Sequence, residues 1–140
     1  MRYAVDGATV AKDVARQTLR LTDYSGTYPV TTQRVTTHCP DASENGDRVA
    51  QETLAIAHDA GVIAIDWAIA SRTCHYGGAY FQGGRLGAAQ TSYTCSDGES
   101  GDLEFFEMTK QDGFVAGRFQ GHSVSNGCDY RGRFSGFLPD

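Results

Sequence analysis

Polar and apolar residues alternate with a period of two over most of this chain, as in strands that turn one face to a core and the other to solvent. Eight such stretches follow one another, at 26–39, 49–58, 62–71, 74–81, 86–95, 103–109, 114–121 and 128–137. Short turn sequences separate several of them. Asp59-Ala60-Gly61, Gly83-Gly84 and Asp112-Gly113 carry glycines suited to the positive φ of tight hairpins. Hairpins between consecutive strands predict an all-β, antiparallel up-and-down meander, and eight strands suffice to close it into a barrel. The third stretch is apolar on both sides, with Ile63, Ile65, Trp67 and Ile69 on one face and Val62, Ala64, Ala68 and Ala70 on the other. A strand with two apolar faces needs cover on both. The expected cover is the N-terminal segment, residues 1–22, where Val10, Val14 and Leu21 fall near helical spacing behind a Thr9 cap and predict a short helix over 9–20. Residues 23–140 then form one β-barrel domain.

The barrel reads as two similar halves, about 26–83 and 84–137. Cys74-His75-Tyr76-Gly77-Gly78-Ala79-Tyr80 and Cys128-Asp129-Tyr130-Arg131-Gly132-Arg133-Phe134 share the pattern C-x-Y-x-G-x-aromatic. Each follows an earlier cysteine, Cys39 or Cys95, by 35 residues (39 to 74) or 33 (95 to 128). In an alternating meander all four cysteines lie at one end of the sheet. Closure brings Cys39 beside Cys128 and Cys74 beside Cys95, and this neighbour pairing is favoured because a disulfide needs close Cα atoms. The rival, Cys39 with Cys74 and Cys95 with Cys128, keeps each bridge inside one repeat and stays open.

Composition narrows the function classes. Twelve Lys and Arg against 17 Asp and Glu give a net charge of −5, opposite to the basic stripe of most nucleic-acid binders, so no nucleic-acid partner is expected. No apolar run is long enough for a membrane-spanning helix. The even cysteine set lacks C-x-x-C spacing, which favours disulfides over zinc or redox chemistry and places the protein in an oxidising compartment: periplasm, cell envelope or the exterior. An export signal removed from the mature protein is expected, since the N-terminus has no continuous apolar core of its own.

Gly26-Thr27-Tyr28, opening the first strand, resembles the G-x-Trp start of calycin barrels, the avidin and lipocalin type, with Tyr28 in place of the tryptophan. The resemblance implies an eight-stranded barrel that binds small apolar or ring-shaped ligands. One bacterial branch of similar barrels instead inhibits secreted metalloproteases, and the chain is otherwise similar to uncharacterised exported bacterial proteins.

Several groupings are candidates for chemistry. Asp41, Ser43, Asn45, Gly46 and Glu52 match the spacing of a calcium loop, but Arg48 holds a usually apolar place and no helices flank the segment, so a solvated turn is the preferred reading. His38, His75 and His122 fall near the cysteine-bearing end, within possible reach of Asp97 or Asp129; without a metal-binding spacing they read as exposed polar residues. Glu104 and Glu107, three residues apart on a strand, are expected on opposite faces and so do not form a carboxylate pair. No nucleophile elbow or phosphate loop occurs, and an enzyme is the least supported class. The aromatic set Tyr28, Trp67, Tyr76, Tyr80, Phe105 and Phe134 either lines a ligand cavity or fills the barrel as core. The leading expectation is a non-catalytic binding barrel for a small apolar ligand, without cofactor or metal. The alternative is a protein-interaction or inhibitor-like envelope module that uses its outer face or rim loops.

Overall fold

The computed structural model describes residues 21–138. The helix expected over 9–20, and its packing against the third strand, lie outside the described residues. Among the described residues the only helical element is a 3-10 turn, Ala42–Glu44. The strands are β1 (Gly26–Thr37), β2 (Gly46–Asp59), β3 (Val62–Ile69), β4 (Arg72–Gly83), β5 (Leu86–Cys95), β6 (Ser100–Gln111), β7 (Phe114–Ser123) and β8 (Asp129–Phe137). Each pairs antiparallel with the next, and β8 returns to β1, so the sheet closes as an up-and-down barrel. Closure leaves no strand edge unpaired.

The tight turns use left-handed residues, though not always the expected ones. Gly84 and Gly113 have φ of 63° and 78°, but in the β2–β3 turn the positive φ, 53°, falls on Ala60 rather than Gly61. Asp112 shares the β6–β7 turn with φ 53°. Aspartate tolerates this conformation better than alanine does.

Alternation places one face of every strand inside. In β3, Ile63, Ile65, Trp67 and Ile69 are buried while Val62, Asp66 and Ala68 are exposed. The repeated motif lies on the inward face of β4 and β8. Cys74, Tyr76 and Tyr80 are buried, as are Cys128 and Phe134, and Tyr130 faces the same interior from the start of β8. The motif glycine marks close strand approach. A Cβ on Gly78 would meet the Gln90 carbonyl oxygen at 1.9 Å, and one on Gly132 would meet that of Gln33 at 1.9 Å. No side chain fits either place, which explains why both halves keep glycine there.

The disulfides are Cys39–Cys128 and Cys74–Cys95, the pairing between neighbours. Cys74 and Cys95 are directly opposite in the β4–β5 ladder. The rival pairing inside each repeat is not formed. Both bridges therefore cross a seam between the halves, one where β4 meets β5 and the other where β8 returns to β1.

β6 contains a bulge. Its register with β7 shifts between Phe106 and Thr109, and Glu107 has φ 51°. An extra residue lets two successive side chains leave on one face: Phe106 and Glu107 both lie outside while Met108 is fully buried. The expectation for Glu104 and Glu107 is corrected accordingly. Both face outward, Glu104 accepting from Gln120 Nε2 at 3.2 Å and Glu107 lying 3.7 Å from Arg118. Among the described residues no helix is long and apolar enough to cross a membrane.

The two ends of the barrel differ. At the end where β1 begins and β8 finishes, Tyr24 enters the opening and is fully buried against His58 and Tyr80. Its hydroxyl donates to the Met108 carbonyl at 3.0 Å, and its own carbonyl accepts from the Tyr28 hydroxyl at 2.9 Å. Residues 21–25 thus plug this end. The opposite end carries both disulfides and stays open.

Candidate site in the disulfide-bearing mouth

The open end leads into a cup of about 320 Å³. Its floor is Trp67, packed edge-on to Phe119 with centroids 5.1 Å apart. Tyr76, Tyr93, Tyr130, Ile69 and Leu103 form its wall, and Arg34, Arg48, Arg72 and Glu99 supply the charged positions. The apolar parts come from the inward phase of β3 to β8. The β5–β6 loop adds Glu99, and the β3–β4 turn leans Ala70 and Ser71 over the opening.

Most of the charge is already matched. Glu52, inward on β2 with its side chain 1 % exposed, accepts from both terminal nitrogens of Arg34 at 3.3 and 3.4 Å. It also accepts the Trp67 indole N–H at 2.8 Å. A buried carboxylate needs such donors to offset its lost hydration. Arg34 in turn lies 5.0 Å over the Trp67 ring, a cation–π contact. Across the cup Glu99 accepts from Arg72 at 2.7 Å, from the Tyr93 hydroxyl at 2.7 Å and from the Tyr130 hydroxyl at 3.3 Å. Arg72 is shared with Asp97 at 2.9 Å. Arg72 is partly desolvated, but hydrogen bonds and charge from Glu99 and Asp97 outweigh that and raise its pKa. Burial pushes the Tyr76 and Tyr93 phenols well above their usual value, and for Tyr93 the bond to Glu99 adds to the effect. The phenols of the wall are thus neutral donors at physiological pH.

The aromatic set is divided. Trp67 and Tyr76 border the cup. Phe105 and Phe134 lie in the packed interior, 6.2 Å apart, and Phe105 touches the underside of Tyr76 and Trp67. Tyr28 and Tyr80 belong to the plugged end, with Tyr24. All six are buried in one core cluster.

The remaining candidates lie outside. His38 and His122 converge on Asp129, His38 Nδ1 at 2.9 Å from Oδ2 and His122 Nδ1 at 2.7 Å from Oδ1, and these bonds, His122 first, hold the Asp129 carboxyl below its usual pKa. They border a shallow groove of about 710 Å³ on the outer wall. His75 instead meets Asp66 at 2.5 Å on the outside of β3 and β4. In the β1–β2 loop Asp41 accepts from the Ser43 backbone and hydroxyl, and Asn45 accepts from the Cys39 N–H, while Glu52 points into the barrel. The loop carboxylates and Glu52 therefore do not converge on one ion. Among the described residues the one grouping of metal-type atoms is Cys39, Cys128 and Glu44, whose sulfurs are spent on their disulfide.

Sequence reasoning weighed Glu52 and Arg48 in a calcium loop rather than at the cup, and missed Arg34, Glu99 and Tyr93. A partial signal was present for two of them: Arg48 and Glu52 share their phase in β2 with Ala50, Leu54 and Ile56, whereas Arg34 shares its phase in β1 with Thr32 and Thr36. Glu99 carried no such signal, since it belongs to a loop. No protein-family model matches the chain, and no curated protein matches it in sequence.

Proposed function

We propose that the protein is a non-catalytic, exported binding barrel that holds a small molecule in the cup at its disulfide-bearing mouth. The carrying observation is the asymmetry of the barrel, plugged by Tyr24 at one end and open at the other over Trp67. A concave cavity with an aromatic floor and wall and convergent polar groups is the usual form of a small-ligand site, and here polar groups line the cup as fully as apolar ones. The size of the cup, about 320 Å³, suits a ligand of one or two rings, and the packed interior beneath leaves no room for a long chain. Export is supported by the two disulfides, which persist in oxidising compartments. The calycin-like reading rests on the closed eight-stranded meander together with the Gly26-Thr27-Tyr28 start.

The test is native mass spectrometry of non-reduced protein recovered after export. A stoichiometric extra mass, lost in a Trp67→Phe variant that still folds, supports the reading; a bare chain under all conditions counts against it.

A protein-interaction module is the second reading, favoured by the outer wall of β7 and β8. There Arg118 and Arg133 are directly opposite each other, with Arg131 two residues before Arg133, and Glu107, 3.7 Å from Arg118, and the Gln33 amide oxygen on Arg133 offset only part of this charge. Like charges in opposed positions are destabilising unless a partner offsets them. An acidic protein surface would do so, and charge reversal at Arg131 and Arg133 would weaken such a complex while sparing small-molecule binding.

A further inference from the structure

The charges of the cup leave one cation unmatched. Arg34 is held by Glu52, and Arg72 by Glu99 and Asp97, while Glu99 is occupied by Arg72 and two tyrosine hydroxyls. Arg48 lines the cup and has no hydrogen-bond or ion-pair partner among the described residues. It lies directly opposite Arg34 in the β1–β2 register, so the two arginines leave the sheet on the same inward face at the mouth, Arg34 folded onto Glu52 and Arg48 exposed. Such an arrangement costs stability in the empty protein and becomes favourable when an anion lies between the pair. Arg34 can take part, since its two bonds to Glu52 leave other N–H donors of the guanidinium unused.

We infer that the ligand of the cup is a small organic anion, a carboxylate on a flat hydrocarbon frame. This rests on the small-molecule reading above. The ring lies against Trp67, Phe119 and Leu103, and the carboxylate is clamped at the β1–β2 side by Arg48 and the free donors of Arg34. Planar forked donors suit a carboxylate better than a lysine would. The opposite side of the cup repels a second negative charge, because Glu99 stands there. A monoanion therefore fits and a dianion does not. The overall charge of −5 gives no long-range attraction for anions, so recognition is local to the arginine pair.

A matched pair of probes tests this, 2-naphthoate and 2-naphthalenemethanol, which share a ring frame and differ in charge. Trp67 is the single tryptophan, so its indole N–H gives one signal in the nitrogen–proton NMR spectrum of non-reduced protein and reports on the floor of the cup. The expected result is that both probes shift this signal and that naphthoate binds roughly tenfold tighter or more, as a charge-assisted pair implies. Arg48→Gln is expected to cut that preference to about threefold, the remainder coming from the free donors of Arg34, and Arg48→Lys to restore part of it. Equal affinity for both probes in the unaltered protein, or a preference undiminished by Arg48→Gln, overturns the anion inference while leaving the small-molecule reading in place. If neither probe moves the Trp67 signal, both fail.

Discussion

The indole N–H of Trp67 and the carboxylate of Glu52 are joined by a 2.8 Å hydrogen bond at the boundary between the cup and the packed interior. The same carboxylate holds Arg34, so a single buried group fixes both the aromatic floor and one of the two arginines of the mouth. Glu52→Gln keeps an acceptor for the indole but strands the Arg34 charge. Loss of one member of a buried pair typically costs about 3–5 kcal/mol. Adding Arg34→Met to Glu52→Gln is expected to recover part of that loss, since the unpaired charge is gone. Urea unfolding followed by Trp67 fluorescence measures the unaltered protein and both variants; a double variant less stable than Glu52→Gln alone would refute the coupling.

Tyr24 is expected to contribute as a core residue although it precedes the first strand. Tyr24→Phe removes one buried hydrogen bond to the Met108 carbonyl and should cost about 1 kcal/mol. Tyr24→Ala should cost about 3–5 kcal/mol and open the plugged end. Denaturant midpoints, together with binding of an apolar dye to Tyr24→Ala alone, check the plug.

Peptide mapping without reduction should recover Cys39 linked to Cys128 and Cys74 linked to Cys95. Replacing either pair by serine should cost about 2–4 kcal/mol, with the larger loss for Cys39–Cys128 because it closes the longer loop, 89 residues against 21. Thermal unfolding of the two double variants gives the order.

Gly78→Ala and Gly132→Ala should be nearly equal in effect, each costing at least about 1–3 kcal/mol, because the added methyl meets a neighbouring strand's backbone at both places. Gly83→Ala, where a Cβ meets nothing within 4 Å, is the control and should be close to neutral. A large difference between the first two would mean that the halves are not equivalent at the motif.

At high pH the barrel should unfold and ionise its tyrosines in one transition. Burial raises the phenol pKa of Tyr24, Tyr76, Tyr80, Tyr93 and Tyr130 above the usual 10.0. A group whose folded pKa is raised contributes stability in full below its unfolded pKa and loses it as pH climbs toward the folded value. Stability should therefore fall above about pH 10, with tyrosinate absorbance rising together with loss of the folded circular dichroism signal. Tyrosinate appearing well before unfolding would show that these phenols reach solvent in the native state.

Much of this fold is legible in the chain because β structure writes its faces at a period of two. The strand from Leu86 to Cys95 begins and ends where the alternation does, and the hairpin at Gly83-Gly84 sets Cys74 against Cys95 with no further information. Two kinds of feature were not legible. A bulge shifts the phase locally, and nothing around Phe106 and Glu107 announces one. The site was hidden differently, for its polar members look like solvent-facing residues until closure determines which phase points inward. Arg34 and Gln33 are neighbours of similar polarity, and only the register with β2 and β8 separates the residue above the tryptophan from the one outside.

The plug has a consequence for how the protein is held. Residues 21–25 enter, and Phe137 and Leu138 leave, at the same end of the barrel. Any tether joined to the chain before residue 21 or after residue 138 is thus attached on the side away from the disulfides. A barrel fastened to a surface close to Leu21 or Leu138 would stand with its mouth facing outward, presented to whatever diffuses past.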